Sequence, residues 1–377
     1  MYRNHNIALE LPINSRPMGK VSSLILRTIY EQERKNLRHS NIFLFPIGQV
    51  DMSCDDQDHH FSTWLMHQVI NGRENYDRDI PSFKICPLSE SVNSVSKNQN
   101  VLNFYDLDSP TESERNATRL GRSFFPSKFG AEAFKKLGCR AEYLKLAFDS
   151  FNFKPSDNDR KNERIVFNII GEFQNKRHHR KTILAWIKKY GNNPRYMLQC
   201  FIHNPAISDE SNESVRDSIL KDSKQLTVFN VNFYPFANQN KQINHILNSC
   251  DIIIGLSGGE SFSFPEFNSV AIGKHAILLK AHSHLDWATD EMVTWVNPSG
   301  KTPSHDGFFF QKGLPYDQGY IYDFNEEEFV SSCEIAIIKT EADRVNRFGL
   351  ELQKSFSKEL LVDNILRTLS LDQHRHI

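Results

Sequence analysis

Apolar strand-like runs alternate with amphipathic helical runs along most of this chain, and the alternation breaks once, near the middle, before it restarts. In the first series HNIALELPI reads as a buried strand. RPMGKVSSLILRTIYEQERKN follows with Val21, Leu24, Ile25 and Ile29 at helical spacing. NIFLFPIG (41–48) is a second apolar strand, so the chain opens with a β-α-β unit, which implies parallel strands and a right-handed crossover. Residues 51–100 are polar and irregular, helical only over Trp64 to Ile70, and are expected to be surface excursions. VLNFYDLD is then a strand and SPTESERNATRL a helix, with Ser109 as N-cap and Glu112 completing a capping box. RSFFPS is a short strand, KFGAEAFKKLG a helix stopped by Gly138, and AEYLKLAFD a closing strand.

The break falls at SFNFKPSDNDRKNE (150–163), which reads as a linker. Beyond it the pattern resumes: RIVFNIIGEF strand, HRKTILAWIKKYG helix, YMLQCFIHN strand, ESVRDSILKDS helix, LTVFNVNFY strand, QINHILNSC helix, DIIIGLS strand, a glycine-rich turn with its helix, and HAILLKA strand. From Asn325 the sequence is largely helical, with acidic residues near the start. At 377 residues the chain is long enough for two hydrophobic cores. The expected fold is therefore α/β, two doubly wound Rossmann-like domains facing across a cleft. The expected boundaries are 1–155, 156–345 and a helical tail, 346–377, packing back on the first domain.

Composition excludes several classes. A 39% hydrophobic and 24% charged content is that of an ordinary globular protein. No stretch approaches the ~20 apolar residues of a membrane span, and the amino terminus has no signal-like apolar core, so the cytoplasm is the expected compartment. Cys54, Cys86, Cys139, Cys200, Cys250 and Cys333 form no CxxC pair and no tight Cys/His set, which points to reduced structural thiols and no metal site. The net charge is -1, yet residues 151–200 hold eleven Lys and Arg against four Asp and Glu, concentrated in NKRHHRK (175–181). That run either faces an anion or is a solvated helix face.

GLSGGESFSFPEFNSVAIGKHAILL (255–279) follows an apolar strand with the glycine pair Gly258–Gly259, small hydroxyl residues and a lone Glu260 in front of a helix. Together with SKFGAEAFKKLG, LAFD and IIGEFQNKRHHRKTILAWI, in this order, it resembles the GT-B glycosyltransferases of the large retaining family, most strongly over 164–279 and more weakly over 127–153. The family pattern has a glutamate and a second glutamate eight positions later that holds the nucleotide's ribose. Here these positions are Glu260 and Asn268, and an asparagine still donates to and accepts from a hydroxyl. An arginine of the family pattern is replaced by Glu172, while the phosphate-binding lysine matches Lys176.

The resemblance gives the turn a physical reading. Phosphates suit free backbone N–H groups and a helix N-terminus, and neutral sugar hydroxyls suit a carboxylate. Glu260 would take the hydroxyls, Gly258 and Gly259 would allow close approach and unusual backbone angles, and the amides of Ser261, Phe262 and Ser263 would meet the diphosphate. Lys176, with Arg177, would neutralise the leaving group. The plainer alternative is a simple turn with Glu260 as a first-turn charge. In the first domain Gly19 would bring its loop to the donor, with Asn14, Arg16 and Lys20 as polar candidates. Asp108 or Asp106, at a strand end, would orient the acceptor hydroxyl, or else both are helix N-terminal charges. His178 and His179 read as polar members of the basic run.

The resemblance implies transfer from a nucleotide-diphosphate sugar, UDP-linked, to a hydroxyl, with retained configuration and no cofactor or metal beyond that co-substrate. ALELPINSRPMGKVS, LFPIGQVD and FYDLDSPTESE are similar to glycosyltransferases of tailed bacteriophages, some of which decorate hydroxymethylcytosine in duplex DNA. The favoured acceptor is accordingly such DNA in a host cytoplasm, with the cations of 176–196 meeting phosphates. The alternatives are a glycan or protein acceptor, a sugar-nucleotide binder without turnover, and a sugar-nucleotide epimerase.

Overall fold

The computed structural model describes residues 5–37, 40–53, 58–156, 164–202, 204, 212–223, 228–235 and 237–373. Cys54, the second half of the linker (157–163) and the start of the LTVFNVNFY run lie outside the described residues. By its contacts the chain divides into two compact units. Unit 1 is Met1–Tyr105, Pro110–Asn152 and Ser355–Ile377; unit 2 is Asp106–Ser109 and Phe153–Lys354. The division thus falls at Asn152 and Lys354, where the sequence reading had 155 and 345, and it moves a four-residue segment from the first series into the second unit.

Unit 1 is built from β1 (His5–Pro12), α1 (Pro17–Arg34), β2 (Ser40–Ile47), α2 (His59–Glu74), β3 (Ser82–Ile85), β4 (Gln99–Leu102), α3 (Glu112–Ala117), β5 (Arg122–Phe125), α4 (Lys128–Lys135) and β6 (Ala141–Tyr143). The strands form one parallel sheet in the order β2-β1-β3-β4-β5-β6. The opening β-α-β unit is present as expected, with Pro17 at the first turn of α1, where its missing N–H costs nothing.

Residues 51–100 are not merely surface excursions. They contain α2, held at its start by Asp58, whose Oδ1 accepts from the amides of His60 and Phe61, and also β3, which pairs directly with β1. All four residues of β3 are buried, Lys84 among them. That ammonium is satisfied by the carbonyls of Glu90 and Asn93, with Glu10 at 3.9 Å, so a residue that looks like solvent sits in the sheet. Two further expectations are corrected. The strand β4 stops at Leu102, leaving Asp106 and Asp108 in an irregular segment rather than at a strand end. The capping box of α3 is Thr111 with Glu114, not Ser109 with Glu112: Thr111 Oγ1 accepts from Glu114 N at 3.2 Å and Glu114 Oε2 from Thr111 N at 2.7 Å.

Unit 2 contains β7 (Ile165–Gly171), α5 (His179–Tyr190), β8 (Tyr196–Ile202), α6 (Asn212–Asp222), β9 (Val231–Phe233), α7 (Asn240–Asn248), β10 (Ile252–Gly255), α8 (Phe264–Ala271), β11 (His275–Leu279) and β12 (Thr294–Val296). These are followed by an antiparallel hairpin of β13 (Pro298–Pro303) and β14 (Tyr320–Phe324), by α9 (Glu326–Ala342) and by the short α10 (Leu352–Ser355). The main sheet is parallel, in the order β12-β11-β10-β7-β8-β9. Phe167, Ile169, Trp186, Leu198, Ile254 and Ile277 are among the residues that fill its core. The last helix, α11 (Lys358–Gln373), packs on α1, β1 and β3 within unit 1.

The strand order of unit 2 places the site. From β7 the chain steps to β8 and β9 on one side, then crosses to β10, β11 and β12 on the other. The carboxyl ends of β7 and β10 are therefore neighbours whose following turns diverge, which is where open doubly wound sheets bind ligands.

Candidate functional site

The two turns at that point are stitched together by their backbones. After β7, Gly171 takes φ +138°, a conformation that side chains rarely adopt, and a Cβ there would lie 3.1 Å from Arg177 Nη1. One tight turn at Asn175–Arg177 follows, then His178 in the left-handed region (φ +55°) and α5. From the turn after β10, Gly258 N–H donates to Lys176 O at 2.6 Å, and Gly258 O accepts from Tyr322 N at 2.8 Å. His178 Nε2 donates to Tyr322 O at 2.7 Å. A Cβ on Gly258 would sit 2.1 Å from Tyr322 O, and one on Gly259 2.6 Å from Asp106 O. Neither glycine has a positive φ, so the expected unusual backbone angles are absent and close approach is what requires glycine.

Two ion pairs occupy this junction. The Lys176 ammonium, 4% exposed, binds Asp106 Oδ2, while Asp106 Oδ1 accepts from Ser261 N at 2.7 Å. Arg177 meets Glu260, Nη1 to Oε2 at 3.3 Å, and Ser257 Oγ donates to that same oxygen at 3.3 Å. Burial opposes the charge on both Asp106 and Lys176, but their mutual attraction prevails: the Asp106 carboxyl is held below its usual range and the Lys176 ammonium is raised above its own. Arg177 is likewise raised against burial, by Glu260, Glu266 and Glu172.

Sequence reasoning missed Glu266. It lies in the first turn of α8, is 3% exposed, and its Cγ would be 2.4 Å from a Cβ on Gly255, so the glycine makes room for it. Burial pushes its carboxyl up to about 7, with Arg177 pulling down and Glu260 pushing up, and its Oε2 has no hydrogen-bond partner among the described residues. His282 and His284 were also missed. His282 Nε2 donates to Ser257 O at 2.7 Å, and burial pushes its pKa down to about 4. His284 Nδ1 donates to Leu279 O at 2.8 Å, which leaves Nε2 to accept from Ser263 Oγ at 2.7 Å. Both rings are neutral braces for the turn. The signal for Glu266 was a second carboxylate inside the glycine-rich segment; nothing local marked the histidines.

The other expected residues are placed as follows. Asp108 is engaged by Lys301 (2.6 Å), Tyr320 N (2.9 Å) and Ser109 (2.9 Å), so it anchors the β13–β14 hairpin, and Asp106 rather than Asp108 joins Lys176. The Phe262 ring packs on Phe264 and Phe267 at 4.8 and 5.0 Å, inside the protein. Asn268 is buried in α8 and makes no side-chain hydrogen bond among the described residues. Gly19 lies in unit 1, where a Cβ would be 2.2 Å from Asn14 O, so its surroundings are those of its own loop.

The rest of the basic run is partly to largely exposed, and most of its cations are paired at the surface. Besides Lys176 and Arg177, Arg180 pairs with Asp222, Lys181 with Asp323, Lys189 with Glu334 and Arg195 with Glu341. His178 and His179 are lowered by burial and are not part of a charged face. Among the described residues no group of three or more His, Cys, Asp and Glu is placed to hold a metal ion, and no helix is long and apolar enough to cross a membrane.

No protein-family model and no curated protein matches the chain. Solved structures do match over nearly its whole length. Sucrose-phosphate synthase from Thermosynechococcus elongatus superimposes with a TM-score of 0.63 at 10% identity, covering 98% of this chain and 99% of the other. HepE from Anabaena, in complex with UDP and glucose, gives 0.61 at 13% identity, covering 98% and 100%. A UDP-forming trehalose-phosphate synthase from Burkholderia xenovorans gives 0.61 at 9% identity, covering 98% and 99%. Two parallel six-stranded sheets with alternating helices, matched end to end by these structures, give the chain the two-Rossmann-domain fold of the GT-B glycosyltransferases.

Proposed function

We propose that the chain is a glycosyltransferase that moves a sugar from a UDP-linked donor to an acceptor hydroxyl, with retained configuration. The observation that carries this reading is the buried Lys176 with the largely buried Arg177 at the switch point of unit 2, beside the Ser261 amide and the start of α8. Such cations are costly to bury without anions, and a diphosphate is the anion that the place and the fold favour. HepE, of the same fold, is described with UDP and with UDP-glucose.

In this reading the bond from the sugar's anomeric carbon to phosphate breaks as the bond to the acceptor oxygen forms, and the acceptor's proton leaves with the diphosphate. Negative charge grows on the departing phosphate, where Lys176 and Arg177 lower its energy most. Glu260, released from Arg177 by the phosphates, accepts from sugar hydroxyls, and Asn268 bonds the ribose. His282 and Ser257 hold the turn in place.

The narrower reading, a phage enzyme acting on hydroxymethylcytosine in duplex DNA, needs cations free to meet phosphates. Most of those between Lys176 and Arg195 already face carboxylates, which favours a glycan or protein hydroxyl as the second reading. The test is release of UDP by the full chain from a panel of UDP-sugars, with hydroxymethylated duplex DNA or oligosaccharides as acceptors. Release dependent on one acceptor class supports transfer and names the class. Donor bound with no release under any acceptor makes the chain a binder, and donor converted without acceptor makes it an epimerase. Glu260→Gln keeps the shape and is expected to cut kcat/KM about a hundredfold, in line with loss of a charged hydrogen bond. A fully active variant would remove Glu260 from the site.

A further inference from the structure

A buried ammonium needs a counter-charge whether or not a ligand is bound. In this molecule the counter-charge comes from a residue 70 positions earlier in the chain, and the manner of binding is specific. Asp106 uses one oxygen for Lys176 Nζ and the other for the amide of Ser261, two residues ahead of the N-cap of α8. One cation plus one main-chain N–H before a helix is the donor set that an anionic phosphate takes. The Phe310 ring, 5.8 Å from Lys176 Nζ, walls the pair, and the other charged groups acting on it are Arg177, Glu260 and Asp317.

We propose that Asp106 is a built-in stand-in for the donor's phosphate: its carboxylate holds the Lys176 ammonium and the Ser261 amide until a phosphate displaces it, so that Asp106 sets the affinity of the site and its demand for an anion. This rests on reading the site as one for a nucleoside diphosphate. The segment that carries Asp106 is suited to exchange. Residues 103–111 belong to neither β4 nor α3, and Leu107, fully buried, and Asp108, bound by Lys301 and Tyr320, keep the segment attached to unit 2 when Asp106 lets go. A single carboxylate charge is readily outcompeted by a diphosphate and poorly by a neutral nucleoside.

The experiment is calorimetric titration of the full chain and of Asp106→Asn with UDP and with uridine. The expected result is that the variant binds UDP about tenfold more tightly, as removal of a close competing charge predicts, with uridine binding unchanged. Equal or weaker UDP binding by the variant overturns the inference, because Asp106 is then a bystander or itself a ligand contact. Since the variant leaves a buried ammonium unpaired and can fail to fold, wild-type hydrogen exchange gives a second measurement. UDP should loosen 103–111 while protecting 172–180 and 257–264; added protection at 103–111 overturns the proposal. If the wild type binds UDP in neither measurement, the nucleotide reading falls and this inference with it, whereas UDP binding with unaltered affinity in the variant removes the inference alone.

Discussion

Each unit has a turn that leaves the first strand of its sheet, next to the point where the strand order reverses, and enters a helix. The two are closed by different means. In the β1–α1 turn Asn14 Oδ1 accepts from Arg16 N at 3.0 Å, Ile13 O accepts from Asp51 N at 2.8 Å, Pro17 starts the helix, and Gly19 presses against Asn14; none of these contacts is an ion pair. In the β7–α5 turn the closure depends on Asp106, Gly258, Glu260 and Tyr322, all distant in sequence, and on two largely buried cations. Equivalent positions in two related sheets therefore carry unequal charge. The second turn is the one whose partners are charged as well as distant in sequence.

Three substitutions press on this contrast. The largest effect is expected from Lys176→Met, which leaves the partly buried Asp106 carboxylate without its cation and should cost unit 2 roughly 3–5 kcal/mol in urea unfolding. A loss under about 1 kcal/mol, the scale of an exposed pair, would erase the difference between the turns. Glu266→Gln comes next. Its carboxyl has a folded pKa of about 7 against an ordinary 4.5, so the folded state keeps a proton that the unfolded chain releases between those values. The stability tied to that proton is complete below about pH 4.5 and is lost as pH rises through 7. The variant should match the wild type at pH 4.5 and exceed it at pH 8 by on the order of 3 kcal/mol. Stability curves parallel across that range would show that the second turn does not strain its neighbour. The smallest effect is Gly19→Ala, which overpacks the first turn and should lower unit 1 stability by about 1–3 kcal/mol while leaving UDP affinity as it was. A raised Kd for UDP would give the first turn a share in the donor.

The alternation of apolar runs made nearly every strand and helix of unit 2's main sheet legible, because buried parallel strands are continuous in hydrophobicity and the helices between them are periodic. It failed at β3, where Lys84 breaks the run yet is solvated by carbonyls brought from Glu90 and Asn93. It failed again at β13, PSGKTP, whose residues are all exposed and carry no buried face to pattern. Within the site, Lys176, Arg177, Gly258 and Glu260 were legible as a motif with an order. Which of Asp106 and Asp108 reaches Lys176 was not, since only the folded path of an irregular segment separates them. Glu266 hid because a carboxylate in the first turn of a helix ordinarily faces water, and its burial depends on the absent side chain of Gly255.

The assignment of Asp106–Ser109 to unit 2 has a bearing on any attempt at dissection. A fragment spanning 153–354 would look complete by its sheet and core, yet it would be cut without the carboxylate that neutralises its most enclosed lysine. Such a half-molecule would carry an orphan positive charge and would scavenge anions from its buffer. Affinity measured on it would report the truncation rather than the whole chain.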